Sequence, residues 1–452
     1  MAKKPAKSKI KKGPGFEQEV KQILSLMQYQ ISHDVLFSGT QIDILAEQSD
    51  FLQKLRLIVE CADHDKKVGV PLVKEKSATL SVVPKDDFHY KLLYVSRLGF
   101  TKEALEFAAN NSAQINLLTL TQLESRLIDF EPYARWYFQS YENSTGMFAE
   151  GELAQNFIEL NGSSPDLSLK DEPISKIART WLADESNNLL ILLGEFGSGK
   201  TSFCRNFAYQ LLDEKFRRLQ DQPYIPILIN LRDNKRMFDL PRVLFDTMVN
   251  RFGVKLPSLM ALEHFCSKRR ILLVLDGLDE MISKSDREAV ADCFNQIFML
   301  SSLKAKIVVS CRTNFFKANE VLLDALRRFS VEIQEPGSKP STFSFDTHGS
   351  IVNVEKLSPK KIREYISQQV ESPDEILETI EGIHDLTDLC TRPVLLNMIL
   401  STLPKLEEMG ANVNSAILYE EYTNRWTARD EWRVELPPVS YTHLTLPTIY
   451  SV

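Results

Sequence analysis

Long apolar runs are missing from this chain. The longest uncharged ones extend over about one strand, well short of the ~20 residues that a membrane-spanning helix needs. No signal-peptide core follows the N-terminal lysines, so no membrane association is expected. Cysteine is scarce: Cys61, Cys204, Cys266, Cys293, Cys311 and Cys390 are the six in 452 residues. No two form a C-x-x-C pair, and several fall in apolar segments where cysteine acts as a small hydrophobe. This argues against disulfides and a zinc site, and for a reducing cytosol. No internal repeat of about 20 to 50 residues is present, which argues against a solenoid. Nor is there an excess of positive charge. With 54 Lys and Arg against 61 Asp and Glu the net charge is −7, so the chain as a whole does not coat nucleic acid. The first twelve residues differ, because Lys3, Lys4, Lys7, Lys9, Lys11 and Lys12 precede any acid. They form either a basic arm for nucleic acid or a disordered, solubilising terminus.

What is present is an ordinary globular composition, 43% apolar and 25% charged, in a chain long enough for two to four domains. Within it, Gly194-Glu195-Phe196-Gly197-Ser198-Gly199-Lys200-Thr201 is a complete G-x-x-x-x-G-K-[ST] phosphate-binding loop. The apolar run Leu189 to Leu193 precedes it and a helix-compatible stretch opens at Ser202. Strand, loop and helix in that order are the context the motif requires. Gly194, Gly197 and Gly199 let the backbone take conformations that a Cβ forbids. The N–H groups then cradle phosphate oxygens at a helix N-terminus, where the dipole favours negative charge. The pattern assigns Lys200 to the β- and γ-phosphates and the Thr201 hydroxyl to Mg²⁺.

A second apolar run, Ile271 to Leu275, ends in Asp276-Gly277-Leu278-Asp279-Glu280. An acid at the C-terminal end of a buried parallel strand faces the crevice where ligands bind. Asp276 suits Mg²⁺, and Asp279 or Glu280 suits polarising an attacking water. Tyr224 to Leu231 reads as a further strand ending in Arg232, and Lys306 to Ser310 as another, followed by Arg312. Arg312 either senses the γ-phosphate through charge-assisted hydrogen bonds or pairs with Asp276 or Asp279.

Taken together, the loop at 194–201, Ile-Pro-Ile-Leu-Ile-Asn-Leu-Arg at 225–232, Leu-Leu-Val-Leu-Asp-Gly-Leu-Asp-Glu at 272–280 and Val-Val-Ser-Cys-Arg-Thr at 308–313 resemble a NACHT NTPase of the STAND class. Leu357-Ser358-Pro359 through Tyr365 resembles the start of that family's helical domain. Thr391-Arg392-Pro393 resembles its proline segment, which implies that Pro393 packs near adenine; alone, Pro393 reads as a helix start. Leu418-Tyr419-Glu420-Glu421-Tyr422 resembles the helix leading into its winged-helix domain, although Tyr419 and Tyr422 read equally as core packing. The resemblance spans about residues 150 to 435. It implies ATP as the nucleotide and a switch that oligomerises with its own copies when triggered.

The N-terminal region reads as a separate unit. Phe16, Val20, Ile23, Leu24 and Met27 mark a helix. The segments 39–45 and 57–61 look like strands, each bearing an acid, and two acids on adjacent strands can bind one divalent cation. They read equally as surface carboxylates. A helix, a strand with Asp43, a strand with Glu60-Cys61 and then Tyr90 to Val95 with Thr101 to Ala109 resemble the Mrr-like branch of the PD-(D/E)XK nucleases. That resemblance implies DNA as substrate, Asp43 and Glu60 as metal ligands and Glu17 as an assisting acid. The family places a lysine two residues after the glutamate, where this chain has Ala62. Such a lysine orients water and stabilises developing charge. Either Lys66 or Lys67 fills the gap, or the domain is a degenerate fold that binds DNA or a partner.

The expected class is α/β. It comprises an N-terminal restriction-endonuclease-like α/β domain, a central P-loop NTPase with a parallel sheet and helices on both faces, a helical domain and the start of a winged helix. The expected boundaries are a basic tail at 1–12, the nuclease-like domain at 13–130, a linker at 131–173 and the NTPase core at 174–332. A loop or hairpin insertion follows at 333–356, then the helical domain at 357–405 and the winged-helix start at 406–438. Residues 439–452 resemble translated adapter sequence, so the natural chain is expected to continue into a winged helix and a sensor for an unknown phage or cellular trigger. The leading expectation is an ATP-dependent switch controlling a nuclease-like effector, as in bacterial antiphage systems. The alternatives are a non-cleaving adaptor and an NTP-dependent restriction enzyme.

Overall fold

The computed structural model describes residues 14–408 except 38–39, 50–53, 144–156, 220–222, 232–238, 269, 282–293, 299, 302–303, 318–329, 334–340, 345–348, 371 and 383–385, together with Glu420. The basic arm, Arg232, Cys293, Tyr419, Tyr422, nearly all of the winged-helix start and the 439–452 tail lie outside the described residues.

Helix α1 (Pro14–Leu26) places Phe16, Val20, Ile23 and Leu24 on one face, each at most 1% exposed. That spacing of three and four is what an amphipathic helix requires. It packs on a five-stranded sheet whose order follows the sequence: β1 (Gln30–Phe37), β2 (Thr40–Ser49), β3 (Lys54–Ala62), β4 (His89–Ser96) and β5 (Ile115–Thr119). β1 to β3 run antiparallel, and β3, β4 and β5 run parallel. The parallel crossovers carry α2 (Val70–Ser77) and α3 (Lys102–Asn110). Alternation along β3 divides its side chains between two clusters, with Ile58 and Ala62 in one and Leu57 and Val59 in the other. The first cluster is closed by Val73 of α2 and Ala104 of α3, the second by α1. Helix α4 (Leu120–Ser125) starts at a capping box in which Thr119 and Gln122 satisfy each other's backbone N–H.

Helix α5 (Glu131–Glu142) comes next, within the segment 131–173 expected as a linker. Tyr133, Tyr137 and Tyr141 of α5 are buried in the large hydrophobic cluster that also holds residues 189–193 and 271–275. Their three hydroxyls are satisfied within it. Tyr133 accepts from Leu228 N (3.1 Å), Tyr137 donates to Arg205 O (2.8 Å) and Tyr141 accepts from Asn206 Nδ2 (2.9 Å). Strands β6 (Asn161–Ser164) and β7 (Leu169–Pro173) extend the main sheet, and α6 (Ile174–Ala183) follows.

That sheet is built on β8 (Leu189–Gly194), which leads into α7 (Lys200–Leu212). The chain continues with β9 (Ile225–Asn230), α8 (Leu240–Asp246), α9 (Leu259–Ser267), β10 (Ile271–Asp276), α10 (Leu278–Met281), β11 (Lys306–Arg312) and α11 (Thr313–Lys317). Beyond the two-stranded ribbon of β12 (Ser330–Ile333) and β13 (Ser341–Ser344) lies β14 (Gly349–Val354). The strand order is β7-β6-β14-β8-β11-β10-β9. The last five are mutually parallel, with β6 and β7 added antiparallel at one edge. Every residue of β8 and β10 is buried, as apolar runs in a sheet covered on both faces must be. Of the segment 333–356 expected as a loop or hairpin insertion, β13 pairs with β12 in the ribbon and β14 pairs along β8 within the central sheet. Helices α12 (Pro359–Gln369), α13 (Pro373–Gly382), α14 (Leu386–Cys390) and α15 (Pro393–Glu408) complete the described chain.

Candidate functional site

The loop after β8 turns on glycine. Gly197 and Gly199 have φ of +75° and +90°, a region that a Cβ disfavours. Gly194 is constrained differently, because a Cβ there would lie 2.5 Å from Ser198 Oγ. Gly199 caps α7, so the first free N–H groups of that helix open onto the loop. Lys200 folds back and donates to Gly194 O and Glu195 O, both at 2.9 Å, with Ser198 Oγ at 3.4 Å. Burial lowers its pKa, and Asp279 opposes that shift. Ser202 sits half-buried in the first turn of α7, and Phe196 is exposed at the loop tip.

Asp276 ends β10 at 5% exposure. Its Oδ1 accepts from Ser310 Oγ (2.5 Å) and from Thr201 Oγ1 (3.2 Å). The strand order explains the first contact: β11 lies between β8 and β10, so its Ser310 separates the loop from the acidic strand end. Ser310 Oγ also accepts from Gly277 N at 2.9 Å. The hydroxyl of Thr201 and the carboxylate of Asp276 therefore converge, and phosphate oxygens complete the kind of donor set that Mg²⁺ takes. Among the described residues no group of three or more His, Cys, Asp or Glu is arranged as a metal site. Arg312 N donates to Asp279 Oδ1 (3.0 Å), and its guanidinium reaches Asp279 Oδ2 (2.9 Å) and Glu280 Oε1 (3.6 Å). It also lies 5.3 Å from the Phe196 ring centroid. The expected alternative of pairing with Asp279 is thus what the geometry contains, and the pair stands beside the loop.

Two segments cover the loop. The ring of Pro393 lies 3.5 Å from where a Cβ on Gly199 would be, and Leu160 approaches the same point to 2.9 Å. Val394 N donates to Gly197 O (3.4 Å), and Arg392 Nη2 pairs with Glu195 Oε2 (2.9 Å). Sequence reasoning placed Pro393 here through a resemblance but missed Ser310, Leu160 and the Arg392 pair. A hydroxyl two residues before Arg312 is a detectable signal. The other two depend on contacts between distant segments.

In the N-terminal domain Asp43 and Glu60 are buried, at 4% and 2% exposure. The β2–β3 register, with Ile44 opposite Val59, sets Asp43 opposite Glu60 on the next rung. Asp43 Oδ2 accepts from Cys61 N at 2.9 Å. They are not surface carboxylates. Two carboxylates on one face match a Mg²⁺ site completed by water and phosphate. Burial, followed by the charges of Asp43, Glu17 and Glu60, pushes the Cys61 thiol up. Glu17 belongs to α1, on the face opposite the cluster holding Ala62. Lys66 and Lys67, expected as substitutes for the missing lysine, are exposed on the connection after β3. Lys76 of α2 pairs with Glu60, its Nζ lying 2.5 Å from Oε2. No local spacing marks Lys76; a crossover helix folding back over β3 brings it there.

Comparison with known families decides what these two sites belong to. Residues 188–372 match the NACHT domain, and residues 10–127 match a restriction endonuclease domain. This chain joins an Mrr-type restriction endonuclease domain to a NACHT domain. An uncharacterized WD repeat-containing protein of Nostoc sp. is 30% identical over 235 residues, 50% of this chain. The chain spans only 14% of that relative's length. Among solved structures, the Aeropyrum pernix ORC1 protein in complex with DNA gives a TM-score of 0.38 at 14% identity, covering 62% of this chain and 70% of that one. Domain III of the Thermotoga maritima replication initiation protein DnaA gives 0.29 at 14% identity, covering 55% of this chain and 90% of that one. The NACHT domain is a P-loop NTPase module, and nucleotide binding goes with that module. No helix among the described residues is long and apolar enough to cross a membrane.

Proposed function

We propose that the NACHT domain is an ATP- and Mg²⁺-dependent switch of the STAND type. It controls the endonuclease domain as an effector on DNA, in cytoplasmic defence against phage. The α7 N–H groups and Lys200 hold the phosphates, and Thr201 and Asp276 hold Mg²⁺, which supplies charge neutralisation when bound. Asp279 and Glu280 orient an attacking water, and Arg312 exchanges its carboxylate partners for the γ-phosphate. Pro393 closes over the adenine. Nucleotide gripped between the α/β core and α15 fixes their arrangement and favours assembly with other copies after a phage or cellular trigger.

The observation that carries this reading is the seating of α5. It leaves the endonuclease domain directly and is hydrogen-bonded to α7, the helix whose N-terminus is the phosphate loop. The test is plasmid cleavage by the purified chain with Mg²⁺, with and without ATP. Lys200→Ala is expected to lose ATP binding by calorimetry and to remove any dependence of cleavage on ATP. Unchanged ATP affinity in that variant would overturn the reading. Ala62 favours one second reading, an adaptor that binds DNA without cutting it. That reading gives DNA binding but no cleavage in every nucleotide state.

A further inference from the structure

Val73 of α2 is fully buried in the cluster that also holds Ala62. Lys76 stands three residues further along the same helix, on the same face. The helix therefore covers the place where a lysine at position 62 would begin, and sets a different lysine over Glu60. Glu60 is 2% exposed while the Lys76 side chain is 31% exposed, so the ammonium bridges a buried carboxylate and solvent. Burial, followed by the charges of Glu60, Asp43 and Glu75, raises the Tyr94 hydroxyl pKa. A phosphodiester approaching these acids needs a cation at the rim, and Lys76, paired with Glu60, stands there.

We propose that Lys76 is the phosphate-facing cation of the endonuclease domain, supplied from α2 in place of the strand lysine that Ala62 replaces. The proposal rests on the reading that this domain acts on DNA. A purely structural lysine would do no more than neutralise Glu60, and a pair of variants separates the two roles. Lys76→Met removes the ammonium and leaves Glu60 charged. Lys76→Met with Glu60→Gln removes both charges, which keeps the local net charge of the wild type and spares the fold an unpaired buried carboxylate. Lys76→Arg keeps the cation.

The measurement is binding of a short fluorescent DNA duplex by the full chain in EDTA over a series of salt concentrations, beside Mg²⁺-dependent plasmid cleavage. The double variant is expected to lose about 0.9 from the slope of log affinity against log salt, the signature of one lost phosphate contact. Lys76→Arg should keep the slope. Lys76→Met should cleave plasmid roughly a hundredfold more slowly, with Lys76→Arg within about tenfold of wild type. A wild-type slope in the double variant, or a wild type that does not bind duplex, overturns the proposal. Absence of cleavage by the wild type in every nucleotide state removes the nuclease reading alone, and the salt slope still decides the role of Lys76.

Discussion

Lys306 opens β11 with none of its surface exposed. Its ammonium donates to Trp181 O at 3.1 Å and to the carbonyls of Asp184 and Asn187, and lies 4.8 Å from the Trp181 ring centroid. These carbonyls lie at and just beyond the C-terminus of α6, where unpaired acceptors and the dipole favour a cation. From sequence the residue reads only as the start of an apolar strand; nothing within a few positions shows that a helix end more than a hundred residues earlier needs it. Lys306→Met leaves those carbonyls without their donor. Loss of the desolvation penalty offsets part of the damage, so the expected cost is about 2 kcal/mol. The NTPase unit should melt roughly 5 °C lower by calorimetry, with nucleotide affinity measured below the transition unchanged. An unaltered melting temperature would show that the ammonium is not needed there. Lys200 is the contrasting case. Its role is legible from sequence because glycine spacing and phosphate chemistry are both local.

At the level of elements, the same division between local and distant pairing decides what could be read. The apolar runs of β8, β10 and β11 announce buried parallel strands, and a carboxylate at the end of β10 announces the crevice. β14 was hidden because Gly349 and Ser350 continue a Gly/Ser/Pro/Thr-rich stretch, and its pairing with β8 spans most of the NTPase unit. β6, with sequence Asn-Gly-Ser-Ser, has no apolar pattern at all. Its polar backbone is used because the sheet needs an edge partner there. The contact of α15 with the phosphate loop is likewise non-local, and Arg392–Glu195 is its ionic part. Glu195 is 59% exposed and Arg392 30%, so solvent limits the pair to about 1 kcal/mol or less. Arg392→Ala should speed release of a fluorescent nucleotide by up to about fivefold, and the gap between variant and wild type should narrow in high salt. An unchanged release rate at low salt would assign closure to Pro393, Val394 and Leu160 without the ion pair.

The molecule as a whole is held together at the seam between its two family domains. Glu124 of α4, 3% exposed, pairs with His264 Nε2 (3.4 Å) on α9 and with Arg270 (2.7 Å) just before β10. Phe130 meets Phe265 edge-on at 5.6 Å, and Gln28 Nε2 donates to Pro257 O at 3.0 Å. Arg270 leads directly into the strand that ends in Asp276, so one side of the seam is continuous with the candidate site. Burial pushes the Glu124 pKa up, but the His264 hydrogen bond and the charges of Arg270, Lys268 and His264 outweigh it, leaving the carboxyl below its ordinary 4.5. A depressed carboxylate pKa contributes stability that is fully present above the unfolded value and is lost as pH falls through the folded one. The Glu124 contribution should therefore be constant from neutral pH down to about 5 and disappear below about 4.5. Removing the charge at neutral pH should reproduce the loss. Glu124→Gln leaves Arg270 and His264 facing a neutral amide, at a cost of about 3 kcal/mol. Hydrogen exchange in α4 and α9 should then rise together, while exchange in β2 and β3 stays as in the wild type. If the variant exchanges like the wild type across 120–130 and 259–270, the seam is not held by this triad, and the Phe130–Phe265 and Gln28–Pro257 contacts hold it together with α5.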